Sequence, residues 1–437
     1  MGVIVTKFGG SSLADAGQFQ KVKNILLADE RRRFVVPSAP GKREEDDEKV
    51  TDMLYACHDR AALGENVEAV FDRLRGRYLG ISQALGLSLD MNAELDKVFF
   101  ALQNGQTRDF AASRGEFLSG MMLANYLGWE FIDAAEVICF DNQGVFDQER
   151  TQELLSRRLA GVERAVIPGF YGSLPNGKVK TFSRGGSDIS GAIVARAAGA
   201  ELYENWTDVP GFLMADPRIV KRPKEISVIT YRELRELAYM GATVLHDEAI
   251  FPVRAAGIPI NIRNTNDPSA PGTMILRADE SHVRGAITAI AGRKGFTAIA
   301  IEKNMMNAEL GFGRRVLGAL EECGVSFEHL PTGIDTMTVL CADANLSGKI
   351  EQVIEKIRRS CKPDHIEVIS GLSLIATVGR GMVRYPGTAS RLFAALADAG
   401  INIRMIDQGS SEINIITAVE SADFERAVNA IYAAFTK

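Results

Sequence analysis

Two short stretches combine glycine, serine and charge in a way that suits the handling of an anion: Lys7-Phe8-Gly9-Gly10-Ser11-Ser12 and Ser183-Arg184-Gly185-Gly186-Ser187-Asp188. Each sets a cation before a diglycine and a serine after it. Glycine allows a tight turn and a close approach of backbone to ligand. Backbone N–H groups exposed where a strand passes into a helix attract phosphate-like anions. The order differs from the Gly-x-x-x-x-Gly-Lys-Ser/Thr loop, because here the lysine precedes the glycines. One such elbow is ordinary turn chemistry. Two elbows facing one another would hold both ends of an in-line phosphoryl transfer, which needs mainly positioning and charge stabilisation. Lys7 can neutralise charge on the moving group. Arg184 can clamp a carboxylate through two N–H groups, as lysine cannot. Asp188 can orient Lys7; its plainer reading, shared with Arg184, is an ion pair at a helix start. Ser113-Arg114-Gly115-Glu116 adds a second acidic spot. Glu116 either serves the dipole of the apolar helix that follows or receives a ligand's ammonium group.

These residues need a scaffold, and the patterning supplies one. Val3-Ile4-Val5 is a β-branched run that predicts a buried strand. From Ala14 the apolar positions Phe19, Val22, Leu26 and Leu27 repeat as on a helix face, with Asp15 as the N-cap. Arg33 to Pro37 reads as a second strand running into Ser38-Ala39-Pro40-Gly41, then into the charge run Lys42 to Lys49. That run reads as a solvated, mobile loop, and its place at a strand end would also let residues 44–48 act as a lid. Val50 to Gly128 reads as helical, punctuated by Gly64, Gly86 and Gly105. Phe131-Ile132, Val137 to Phe140, and Ala165 to Phe170 read as strands. Asn176-Gly177 predicts a hairpin leading into the second elbow. Leu202 to Trp206 reads as a strand before the polar loops Thr207-Asp208-Val209-Pro210-Gly211 and Ala215-Asp216-Pro217-Arg218. Alternation of short strands and amphipathic helices up to about Leu276 marks an α/β layered domain.

Beyond Pro271-Gly272 the character changes. Residues 296–371 read as strand, helix, strand, strand, helix, strand, with Val325 to Leu330 as one of the strands, and the order restarts at Leu372. Gly324-Val325-Ser326 and Gly400-Ile401-Asn402 echo one another after the first helix of each copy. This is an internal repeat of βαββαβ units. The second copy ends before a fourth strand, which predicts that it borrows one and that the two copies are interleaved. A chain of 437 residues suggests two or three domains. The net charge of −6 argues against generic nucleic-acid binding. Five scattered cysteines without a Cys-x-x-Cys pair suit a reducing cytoplasm and provide no structural zinc site. No apolar run reaches the ~20 residues that span a membrane, and no signal peptide is evident.

Taken in order, Lys-Phe-Gly-Gly-Ser-Ser, Ser-Arg-Gly-Glu, Ser-Arg-Gly-Gly-Ser-Asp and Trp-Thr-Asp-Val-Pro-Gly followed by Asp-Pro-Arg resemble the aspartokinases, a branch of the amino-acid kinase family that ends in two ACT-type units. The resemblance implies a three-layer α/β/α kinase domain over residues 1–280, then ACT units at 294–371 and 372–437. It implies ATP-dependent phosphorylation of the β-carboxylate of L-aspartate, a step toward lysine, threonine and methionine. By position it makes Lys7 and Asp188 catalytic together with Gly9 and Gly10. Glu116, Arg184, Ser38 and Thr51 would bind substrate. Lys7, Gly10, Ser11, Thr207, Asp208, Phe212, Asp216 and Arg218 would bind ATP, whose phosphates carry Mg²⁺. Met305, Ser326 and Glu328 line up with an effector loop and strand for lysine, with threonine as the second candidate. ACT pairing implies a homodimer or a dimer of dimers. Two positions depart from the pattern: Thr243 stands where many members carry a lysine, and Phe212 where a tyrosine is common. Lys221 or Arg222 would then supply the missing charge. Phe212 keeps a ring to stack on the nucleotide. The rival readings are another amino-acid kinase and an amino-acid sensor on a silent kinase scaffold.

Overall fold

The apolar run at the start of the chain becomes strand Ile4–Phe8, every residue of it buried. Parallel neighbours flank it on both sides, Arg32–Pro37 on one and Leu202–Thr207 on the other. The computed structural model describes residues 2–183, 185–242, 250–277 and 285–436. Within these the chain forms two compact units, the first comprising Met1–Phe212, Glu225–Tyr231 and Val244–Ser281, the second Leu213–Lys224, Arg232–Thr243 and His282–Lys437.

In the first unit one sheet has the strand order Glu130–Phe131, Ala165–Val166, Arg32–Pro37, Ile4–Phe8, Leu202–Thr207, Ile260–Asn264, Thr273–Leu276 and Val228–Thr230. Every pairing is parallel except that of Thr273–Leu276 with Ile260–Asn264. A parallel sheet must be covered on both faces. Helix Gly186–Ala197 packs against the three central strands on one face. On the other, Phe8 and Trp206 stack with ring centroids 5.9 Å apart and join a core with Phe19, Val22, Leu54 and Tyr78. Asp15 caps helix Ala16–Leu27 by accepting from the Gln18 N–H at 2.9 Å. The long helical stretch resolves into Val50–Ala62, Glu68–Leu85, Met91–Gln103 and Arg108–Leu127, with breaks at Gly64, Gly86 and Gly105, all left-handed.

Two expected features differ. Val137 to Phe140 is not a strand: the Asp133 carboxylate accepts from Ala135 N–H, which starts the short helix Ala134–Val137, and two isolated bridges follow, Cys139 to Ser173 and Phe140 to Phe146. The charge run is a largely exposed loop, as its composition suggests, but it is tethered. Asp47 pairs with Arg43 at 2.9 Å and with buried Arg77 at 3.0 Å, and Arg77 also donates to the carbonyls of Gly41 and Glu48.

The second unit carries an antiparallel sheet ordered Thr336–Ala342, Ala289–Glu302, His365–Val378, Asn414–Glu420 and Met405–Asp407. The two long strands pair along their whole length, with register shifts around Phe296. Residues 296–302 lie between the first copy's strands, whereas residues 289–294 pair with Ser373–Val378. That half of His365–Val378 also pairs with Asn414–Glu420 of the second copy. Val325 to Leu330 is no regular strand. Glu328 N–H donates to Leu340 and Leu340 N–H to His329, a single bridge beside Thr336–Ala342. Each copy has its own apolar core, one around Phe312, Val316 and Val339, the other around Ile375, Leu392 and Phe424.

Behind the central strands of the first unit, buried Glu204 holds Arg32 through two contacts of 2.8 and 3.0 Å and accepts from Trp206 Nε1 at 2.9 Å. Arg263 adds a longer contact at 3.4 Å. Removing one member of a buried ionic cluster strands the others without solvent. Glu204→Ala is therefore expected to lower the unfolding free energy of this unit by about 3–5 kcal/mol, measured by urea titration followed by tryptophan fluorescence and circular dichroism.

Candidate active site

The register of the central strands brings Lys7 opposite Asn205. In a strand, alternate side chains share a face, so Lys7, Asn205 and Tyr203 emerge on the side covered by helix Gly186–Ala197, while Phe8 and Trp206 point the other way. Asp188 stands in the first turn of that helix. The Lys7 ammonium lies 2.7 Å from Asp188 Oδ1, and Asn205 Nδ2 donates to the same oxygen at 2.8 Å. Lys7 is 8% exposed, so this is a pair held largely out of water.

Both glycine elbows have the geometry their composition suggests. Gly9 N–H donates to the Trp206 carbonyl, and the chain then enters the 3₁₀ turn Gly10–Leu13. Lys7 Nζ stands 3.6 Å from where a β-carbon on Gly9 would lie, so the ammonium folds back beneath the diglycine. Gly10 is pressed against the segment that follows the second strand: Gly41 N–H donates to its carbonyl at 2.8 Å, and a β-carbon on Gly41 would sit 2.5 Å from the Gly10 carbonyl carbon. Ser38 N–H donates to the Phe8 carbonyl, which places Ser38 beside the first elbow. Ser11 lies within the turn, and Ser12 Oγ is 2.7 Å from Thr265 Oγ1. In the second elbow Gly185 is left-handed (φ 70°) and opens helix Gly186–Ala197. Arg184 lies outside the described residues, as does Thr243.

Glu116 approaches from helix Arg108–Leu127 and is buried. Burial pushes its carboxyl up to about 7, against the opposing pull of the Ala39 N–H, its own N–H, the Ser187 hydroxyl and the Lys7 charge. Among the described residues its Oε2 is buried without a hydrogen-bond partner. A carboxylate oxygen left unpaired in the interior is expensive, and an ammonium group of a ligand would satisfy it. Thr51 is in the first turn of helix Val50–Ala62, which packs along Arg108–Leu127.

Thr207 ends strand Leu202–Thr207, and its hydroxyl donates to Asp208 at 3.2 Å. Phe212 corrects an expectation: it is 2% exposed and has no open ring face for a nucleotide base. Its N–H donates to Thr273 Oγ1 at 2.8 Å, which pins this turn against strand Thr273–Leu276. Asp216 and Arg218 belong to the second unit, where they pair with each other through three side-chain contacts, and that guanidinium holds the Asp216 carboxyl below its usual range. In the same unit Met305 is 72% exposed in a left-handed conformation, Ser326 Oγ accepts from Asn345 Nδ2 at 2.8 Å, and Glu328 accepts from the Tyr239 hydroxyl.

Sequence reasoning missed three groups. Asn205 was visible as a polar residue inside a buried strand. Ser187 was quoted within the second elbow but given no role. Phe170 is left-handed (φ 79°), its N–H donates to Ser190 Oγ at 2.9 Å, and its ring would lie 2.5 Å from a β-carbon on Gly186. Nothing in an apolar residue before a hairpin announces such a conformation.

The chain matches two protein families, the amino acid kinase family over residues 2–264 and the ACT domain over residues 375–435. It is 39% identical to Aspartokinase 3 of Bacillus subtilis (strain 168), covering 99% of this chain and 98% of that one. Among solved structures it resembles the aspartate kinase of Clostridium acetobutylicum, with a TM-score of 0.92 and 53% identity over the whole of both chains. Two structures of E. coli aspartokinase III, one in complex with aspartate and ADP (R-state) and one with lysine and aspartate (T-state), match over the whole of both chains at 26% identity, with TM-scores of 0.75 and 0.74. The chain belongs to the amino acid kinase family, in its aspartokinase branch.

Proposed function

We propose that this enzyme, an aspartate kinase, transfers the terminal phosphoryl group of ATP to the β-carboxylate of L-aspartate at the centre where Lys7, Asp188, Glu116 and the two glycine elbows meet. The observation that carries this reading is the buried Lys7–Asp188 pair beneath Gly9, close to a buried carboxylate with an unsatisfied oxygen. The acceptor carboxylate has an ordinary pKa near 4 and is already ionised at neutral pH, so no general base is required. The obstacle is repulsion between two anions. The Lys7 ammonium, itself largely out of water, and the N–H groups of the elbows offset it. Asp188 keeps the ammonium in place, Glu116 receives the substrate's ammonium, and Arg184 takes a carboxylate through its fork. Gly10, Ser11, Thr207 and Asp208 serve the nucleotide. ADP and aspartate in the E. coli relative support this pairing of substrates. Among the described residues no group of three or more His, Cys, Asp or Glu side chains could hold a metal ion. Mg²⁺ bound with the ATP phosphates would supply further charge neutralisation there.

The second unit is the regulatory part, and its ligand is an amino acid. The ACT match and the lysine complex of E. coli aspartokinase III support lysine, with Glu328 as the carboxylate for its side-chain ammonium. Pairing through these units would give a symmetric assembly, and the product would feed the formation of lysine, threonine and methionine.

ADP release with L-aspartate, L-glutamate, carbamate and a nucleoside monophosphate tests the assignment. Aspartate-specific release is expected, and hydroxylamine should trap its product as a hydroxamate. Release with another acceptor alone would overturn it. Lys7→Ala should fold and lose about 10²–10³-fold in kcat; full activity would remove Lys7 from the mechanism.

Glu116 gives a pH dependence of definite sign. Its folded carboxyl keeps a proton up to about 7 rather than the ordinary 4.5, so the folded state binds more protons between those values. Stability is therefore full below about 4.5 and falls by about 3 kcal/mol as pH rises to about 7. A substrate ammonium needs the ionised form. The KM for aspartate should accordingly fall as pH rises from about 6 to about 8. Glu116→Gln should raise that KM, flatten its pH dependence, and remove the slope in unfolding free energy.

A further inference from the structure

Lys7 pairs with one carboxylate and lies in the field of a second. Asp188 lies on helix Gly186–Ala197 at 2.7 Å, and Glu116 on helix Arg108–Leu127 feels the charge of the same ammonium. Something must decide which of them the lysine follows. A carboxylate on a helix turn can rotate about its last bond, and a single ion pair does not fix that rotation. Asn205 does: its Nδ2 donates at 2.8 Å to Oδ1, the oxygen that pairs with Lys7. Two donors converge on one oxygen and lock the carboxylate plane. Asn205 is 3% exposed and sits in the interior of strand Leu202–Thr207, one residue before Trp206, so it has no freedom to follow Asp188 if the helix shifts. Its backbone neighbour in register is Lys7 itself. Tyr203, two residues earlier on the same face, donates its hydroxyl to the Asp188 carbonyl at 3.2 Å and holds the helix turn from below.

We propose that Asn205 is a positioning residue for phosphoryl transfer: by holding Asp188 Oδ1 it fixes the point from which the Lys7 ammonium meets the transferring group. The inference rests on the catalytic reading of Lys7 given above. Asn205 touches neither substrate nor phosphate. Without its amide the carboxylate turns, and the ammonium paired with it turns too. The ground-state complex keeps its contacts, but the charge no longer lies where the transition state needs it. Such a loss falls on kcat rather than on KM.

Steady-state kinetics of Asn205→Leu and Asn205→Asp test this, with thermal unfolding recorded alongside. The leucine variant keeps the bulk and removes the donor. Its kcat should fall by about ten- to a hundredfold, with the KM values for aspartate and ATP changed less than about threefold. The aspartate variant is isosteric and sets a second carboxyl against Asp188. The groups facing that pair are Lys7 from strand Ile4–Phe8, Glu116 beyond it, and the Tyr203 hydroxyl. Two carboxyls in contact share one proton. While the proton is present, the new carboxyl donates to Asp188 as the amide did; when it leaves, the two repel. The ratio of variant to wild-type kcat should therefore be highest at the acid end and fall as pH rises. A merely structural role would lower the melting temperature without producing that fall. Wild-type kcat in the leucine variant, or a ratio independent of pH in the aspartate variant, would overturn the proposal. Should the leucine variant fail to fold, the aspartate variant decides alone. Lys7→Ala measured in parallel separates the two levels. If it turns over normally, the reading of Lys7 falls and this inference with it. If it is inactive while Asn205→Leu matches wild type, this inference alone is wrong.

Discussion

The ion pair between Lys7 and Asp188 joins the central strand of the first unit to the helix that covers it. Taking two charges out of water is costly, and their attraction repays that cost only when the geometry is fixed and their remaining valences are satisfied. The surroundings meet both conditions. The strand is buried along its whole length, so Lys7 cannot swing into solvent. The helix begins at a left-handed glycine, which sets the angle at which Asp188 arrives. The first elbow passes directly over the ammonium. A cation stored in this way is already desolvated and aimed before any ligand binds, and preorganisation of that kind is what electrostatic catalysis needs.

Much of this site could be read from the chain because its parts are chemically unusual. A lysine at the end of a β-branched run, followed by two glycines, has few structural uses, and the second diglycine marked the start of the helix that brings Asp188 to it. Glu116 was legible as a carboxylate near a helix but not as a buried one, since burial depends on Ala39 and Ser187, which come from distant parts of the chain. Asn205 was hidden for a similar reason: a polar residue next to Glu204 in a buried strand acquires meaning only through the register that sets it opposite Lys7. Phe212 misled because aromatic character is compatible with stacking on a ligand and with filling a core, and here the ring is buried while its N–H is tied to Thr273.

The layered α/β class followed from the alternation of short apolar runs and amphipathic helices. Errors of detail arose where local capping overrode β propensity, as at Asp133, or where a short run had too few partners to form a ladder, as at Val325 to Leu330. The charge run after Gly41 shows the opposite effect. Its composition suggests a solvated loop, but Arg77 reaches it from a distant helix and ties it beside the first elbow.

The two long strands of the second unit, Ala289–Glu302 and His365–Val378, each serve both copies of the repeat. Gly295 and Gly371, both left-handed, stand near the middle of these ribbons, where the ladder changes register. A cut there would not release two small proteins; it would leave each half with a torn sheet edge and an open row of unpaired amides, a template for aggregation. The copies have thus lost the independence that a duplicated sequence suggests. A ligand that twists one end of such a ribbon must strain the other end, so the pair can respond to a small molecule only as a single elastic body.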